Sequence, residues 1–217
     1  MEDCRNKKDY ELAELIMAAV MMFVLKKESR NAFSNEREEE ELKNNYEKIF
    51  KVRLPHMDTV DSVMRKLKES ELEKLKTVLV KKLLKKRTFH KYRMKGGYHR
   101  IAVDGTHVMT VDEGHCENCL HRTSETGKVT YFHNVLEAKL VTGNGFSVSP
   151  GTEWIENPSG DYDKQDCELK AFVRLAENLK KEYPCLPICI KYPIKSFCIF
   201  WQLKNQYLIL LSMYKNF

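Results

Sequence analysis

At the paired glycines of "MKGGYH" (94–99) the spacing of apolar residues changes from helical to alternating. Upstream, apolar residues recur every three or four positions; downstream, residues 99 to 110 alternate and are rich in β-branched side chains. The first period suits helices and the second a strand with two unlike faces, so the chain separates its helices from its strands. The expected class is α+β, a helical N-terminal domain followed by a mixed sheet.

The helices carry start and stop signals. Asp9 is placed to cap a helix running to about Lys26, with Leu12, Leu15, Ile16, Ala19 and Phe23 on one face. After the polar "KKESRNAFSN", Asn35 and Glu38 have capping-box spacing ahead of a stripe of Leu42, Tyr46, Ile49 and Phe50. Leu54-Pro55 breaks that helix, because the residue before proline avoids the α region. Asp58 opens a short helix with Val60, Val63, Met64 and Leu67, and Ser70 with Glu73 opens another that runs to about Arg87. So tight a pair reads as an αα-hairpin, with a DNA-reading helix-turn-helix as the alternative.

Beyond the glycines, residues 99–110 and "VTYFHNVLEAKLV" (129–141) are strand candidates separated by a polar loop, "TGNG" (142–145) is a hairpin signal, and "FSVSPGTEWI" returns. A helix follows with Cys167, Ala171, Leu175 and Leu179 on one face; Pro184 and Pro187 end it, and "PICI" is a short apolar strand. Three strands joined by short loops form an antiparallel meander, and the intervening helix lets the fourth strand lie parallel to a neighbour.

Composition adds location and partners. A chain of 217 residues with 42% hydrophobic content can bury one substantial domain and a smaller one. Seven cysteines, mostly far apart and with no signal peptide before them, favour a reducing, cytoplasmic setting. The longest apolar run, residues 15 to 25, is short of the roughly 20 residues that span a bilayer and reads as a core helix. Lys and Arg exceed Asp and Glu by 37 to 31, and the excess is concentrated. From Lys74 to Val103 there is no acid, while Lys81, Lys82, Lys85, Lys86, Arg87, Lys91, Arg93, Lys95 and Arg100 crowd together, interleaved with Phe89, Tyr92 and Tyr98. That stretch suits contacts with DNA phosphates; the alternative is a solvated helix face.

Asp104 stands inside "YHRIAVDGTHVM", which otherwise reads as a buried strand. An ionised carboxylate there needs a compensating cation, or it ends the strand in the turn that "DG" favours. "YELAELIMAAV" with "RLPHMDTVDSVMRKL", then "IAVDGT", "YFHNVLEAKLV" and "DKQDCELKAFVRLAENLKKEYPCLPICI", resemble the transposases of bacterial insertion sequences that use a DDE triad on a ribonuclease-H-like fold. The likeness spans about residues 9 to 190. It implies a helical transposase-associated domain at 1–95, a partial ribonuclease-H-like core at 96–190 and an aberrant tail at 191–217. Asp104 matches the family's first catalytic Asp, whose implied role is to ligate magnesium or manganese for DNA strand cleavage and transfer. The implied partners are transposon ends and target DNA, with a homodimer suggested and no membrane.

The pattern then breaks. The family's second Asp follows the fourth core strand and its Glu lies further on, yet this sequence has no acid after Glu182. With 31 acids in 217 residues, such a gap has a chance of below about 1% if sites are independent. The expectation is a frame disrupted near residue 190 and an inactive, truncated copy of a transposase; a noncatalytic DNA-binding or transposase-interacting regulator is the alternative. Asp161, Asp163 and Asp166 sit at a helix start, where acids suit capping, and are left out of the site. In "HCENCLHR" (115–122), Cys116 and Cys119 have the spacing of half a zinc site, with His115 and His121 beside them; two free thiols in a loop are the alternative.

Overall fold

The computed structural model describes residues 5, 8–27, 29–111, 116–192, 197–201 and 209–212, with the backbone alone from Lys191 onward. It is a mixed α+β protein, with six α-helices and a mixed sheet among the described residues. Internal contacts divide it into two compact units, Met1–Leu72 and Glu73–Phe217, so the divide falls within the fifth helix rather than at the glycine pair.

The first unit holds α1 (Leu12–Val24), α2 (Arg30–Glu36), α3 (Glu40–Phe50) and α4 (Met57–Met64). Their apolar stripes meet in a core of Leu15, Ala18, Phe33, Tyr46, Leu54, Met57, Val60 and Val63. The caps differ from those expected. Glu11, not Asp9, is the N-cap of α1, and Glu14 closes that end by accepting from the Glu11 N–H at 2.8 Å. Ser29 caps α2 through the Ala32 N–H at 3.1 Å, making a helix inside what reads as a polar linker, because Phe33 there is buried. Asn35 therefore lies within α2, and α3 starts after Glu39 and ends at Lys51 with a left-handed φ of 58°. His56 caps α4, its Nδ1 accepting from the Asp58 N–H at 3.2 Å.

The second unit is built on β1 (His99–Val111), β2 (Leu120–Thr123), β3 (Val129–Val141), β4 (Ser147–Ile155), α6 (Glu168–Glu182), β5 (Ile188–Tyr192), β6 (Phe197–Trp201) and β7 (Ile209–Ser212), with α5 (Glu69–Lys85) leading in. β1, β3 and β4 form the expected antiparallel meander, and β5 lies parallel to β1 after the crossover through α6. The sheet order is β2-β3-β1-β5-β6-β7, with β4 also on β3. β2 pairs with Val129 to Phe132 and β4 with Asn134 to Val141, so they lie end to end along one side of β3. β6 and β7 extend the sheet antiparallel beyond β5, into the segment read from sequence as a tail.

One face of the sheet carries the core. Ile101, Val103, Leu136, Ala138, Ile155 and Ile190 meet Ala171, Leu175 and Leu179 of α6, with Val80 of α5 joining them. Gly151 lets β4 come close to α6, since a Cβ there would stand 3.2 Å from the tips of both Leu175 and Leu179. Cys167 is not on that helical face; it is the exposed N-cap of α6. Among the described residues no helix is long and apolar enough to cross a membrane.

Candidate metal centre and candidate nucleic-acid surface

Alternation along β1 sends Ile101 and Val103 into the core and Asp104 to the opposite face, where it is exposed. The expectation of a buried charge in need of a cation is corrected: the carboxylate stays in water and meets no desolvation cost. Nor does "DGT" turn, because β1 runs on to Val111; Asp104 Oδ1 accepts from the Gly105 N–H at 3.0 Å. Asp104 lies two residues past the last pairing of β1 with β5, Ala102 with Lys191. Its register partner on β3 is Glu137, whose carboxylate is 3.1 Å from Lys139 Nζ. Glu168 of α6 approaches from the core side: a Cβ on Gly105 would stand 2.6 Å from Glu168 Oε1, so that flexible side chain would have to move aside.

A hard divalent ion needs several oxygen ligands converging on one point. Among the described residues, one group of three metal-capable side chains exists, and Asp104 is not in it.

The group of three is Cys116, Cys119 and His133, whose ligand atoms all lie within 4.8 Å of one another. The Sγ atoms are 3.5 Å apart, and His133 Nε2 is 3.5 Å from Cys116 Sγ and 3.1 Å from Cys119 Sγ. Both thiols are free; Cys119 is buried, Cys116 exposed and His133 half-buried. Burial, with the neighbouring Cys116 thiol, pushes the Cys119 thiol above its ordinary range. His121 does not join: it lies on β2, its backbone bonded to the Gln165 side chain at 2.8 and 2.9 Å and its ring against Tyr131. His115 lies outside the described residues. His133, which the motif does not contain, is delivered by strand pairing; its signal in the sequence is a histidine in a strand that must run back alongside the Cys pair.

Asp166 belongs to a different, structural network. Arg174 binds its carboxylate at 2.7 Å, Glu153 at 2.6 Å and the Trp154 carbonyl at 2.9 Å, tying α6 to β4. Burial pushes the Asp166 carboxyl up, but the Arg174 hydrogen bond and the backbone N–H donors outweigh it and hold it below its ordinary value. The bond to Asp166 raises Arg174 in turn.

The basic residues are distributed over three pieces of backbone. Lys81, Lys82 and Lys85 are exposed on α5, and Lys86 and Arg87 follow exposed at its end, where Arg87 takes a left-handed φ of 57°. Lys91 and Lys95 are exposed and Arg93 is half-buried against His90. Arg100 is exposed on the same face of β1 as Asp104, and Lys139 is exposed across from Ala102 on that face. Lys81 is engaged by Glu182 at 3.0 Å, and Lys91 lies 4.9 Å above the Tyr92 ring. Phe89 is buried and stacked on Phe146 at 5.4 Å, so it belongs to the interior and offers no stacking surface. No protein-family model, curated protein or solved structure matches this chain.

Proposed function

We propose that the chain is a DNA-binding protein of the insertion-sequence DDE transposase lineage, built on a ribonuclease-H-like core and lacking strand-cleavage activity. The observation that carries this reading is the strand arrangement: a meander of β1, β3 and β4, a crossover helix, and β5 parallel to β1. That is the order the sequence resemblance implies, and Asp104 sits on the first strand of it. The exposed lysines of α5, and separately Arg100 on the open face of β1, support contacts with phosphates.

A noncatalytic role is favoured over an active transposase because Asp104, with Glu137 its cross-strand partner, belongs to no group of three or more metal-capable side chains among the described residues. The test is binding of linear duplex DNA across a salt series, with a nicking assay in magnesium or manganese. Binding should weaken by about 0.9 log unit per neutralised phosphate for each log unit of salt. Cleavage should be absent, and Asp104→Ala should leave binding unchanged. A flat salt dependence removes the DNA reading; cleavage abolished by Asp104→Ala restores the enzyme.

A further inference from the structure

We propose that Cys116, Cys119 and His133 hold a zinc ion that clamps the Cys116–Cys119 turn, and β2 beyond it, onto β3. A tetrahedral zinc with Zn–S bonds of about 2.3 Å and a Zn–N bond of about 2.0 Å sets its ligands about 3.8 Å apart for sulfur to sulfur and about 3.5 Å for sulfur to nitrogen. The observed separations, 3.5 Å between sulfurs and 3.5 and 3.1 Å from sulfur to nitrogen, are within a few tenths of an ångström of that figure. Two thiolates and an imidazole are soft and borderline ligands, which select zinc over magnesium or calcium. Three protein ligands leave the fourth position to a solvent oxygen or a further side chain.

The site is held from outside as well. Asn157 is wholly buried, and its Nδ2 donates to the Cys119 carbonyl at 2.8 Å. Its backbone N–H donates to the Asn118 carbonyl at 3.0 Å, and Asn118 Nδ2 returns a bond to the Asn157 carbonyl at 2.8 Å. Within the turn, the Cys119 N–H donates to the Cys116 carbonyl at 3.3 Å. On the other side, the Trp154 ring meets His133 edge-on at 6.2 Å. Both halves of the ligand set are thus positioned by contacts that involve no metal, as outer contacts do in built metal sites. β2 has only four residues, too few to be secured by its own ladder, and a clamp at its start suits that need.

The clamp is separate from Asp104. His133 and Glu137 share a face of β3 but stand four residues apart, about 13 Å along a strand. The inference is therefore independent of the DNA reading and can fail or succeed without it.

The experiment is elemental analysis of the full chain purified under reducing conditions and reconstituted with zinc, alongside cobalt(II) substitution. The expected result is one zinc per chain and a cobalt spectrum with thiolate-to-metal charge transfer and tetrahedral ligand-field bands. His133→Ala should weaken zinc binding by more than the roughly 100-fold that outer contacts are worth, while Cys185→Ser should leave it unchanged. Removing zinc from the wild-type chain with a chelator should lower its Tm by about 5 °C, a readout that does not depend on any variant folding. Stoichiometric zinc retained in Cys116→Ser/Cys119→Ser would overturn the assignment. So would the absence of zinc and of a cobalt–thiolate spectrum in the reduced wild-type chain, including the case where the two cysteines are found joined as a disulfide.

Discussion

Glu14 and Asp166 show how a buried acid is kept ionised in each unit. Glu14 accepts from Arg53 at three points, the backbone N–H at 3.0 Å, Nε at 3.0 Å and a terminal nitrogen at 2.9 Å, and these bonds bring its carboxyl down to about 2. A lowered folded-state value contributes stability that is complete above the unfolded value of 4.5 and is lost as pH falls toward about 2. Acid unfolding of the first unit should therefore begin below pH 4.5, and Glu14→Gln should flatten that limb in circular-dichroism titrations while costing about 2 kcal/mol at neutral pH. Arg174→Ala strands Asp166, whose side chain is 5% exposed, and leaves Glu153 with the Asn178 Nδ2 donor at 3.2 Å in place of a cation. Because Arg174 is itself partly exposed, the expected loss is about 2 kcal/mol in urea midpoint analysis rather than the larger cost of a fully buried pair. Asp104→Asn, by contrast, should change stability by less than about 0.5 kcal/mol, since that side chain lies in water on an open face.

Each element reflects a compromise between local signals and packing. α6 was legible because Ala171, Leu175 and Leu179 recur every four residues, and all three are buried against the sheet. Leu175→Ala should cost about 3 kcal/mol, because Gly151 already brings β4 against that side chain and little backbone can relax into the space left. β1, β3 and β4 were legible from alternation and from "TGNG". β2 was not, since "LHRT" is short and mostly polar and is a strand only because β3 offers it a ladder. α2 was missed for a related reason: one buried ring, Phe33, and one cap, Ser29, outweigh a polar composition. Cap positions moved by two residues at α1 and α4 and by four at α3, where neighbouring polar residues offer rival caps that propensity cannot arbitrate.

For the whole molecule, charge and register matter more than any single contact. The net charge of +6 is concentrated between Lys74 and Val103, and Lys82→Glu/Lys85→Glu/Lys86→Glu should reduce the salt slope of DNA binding by about three units if those lysines meet phosphates, measured by anisotropy across a salt series. The class, the meander, the crossover helix and the parallel fourth strand all followed from residue order, because periodicity and loop length are local properties that a chain carries into any packing. Which face of β1 is open was only half legible: alternation gives the strand two unlike faces, but "IAVDGTHV" also reads as a buried strand around one charge, and the placement of α6 against Ile101 and Val103 is what leaves Asp104 in water. The meeting of His133 with a cysteine pair 14 residues upstream was equally hidden. It depends on the antiparallel register of β2 with β3 and on the Asn157 bonds that fix the turn, long-range pairings that no spacing within one segment encodes.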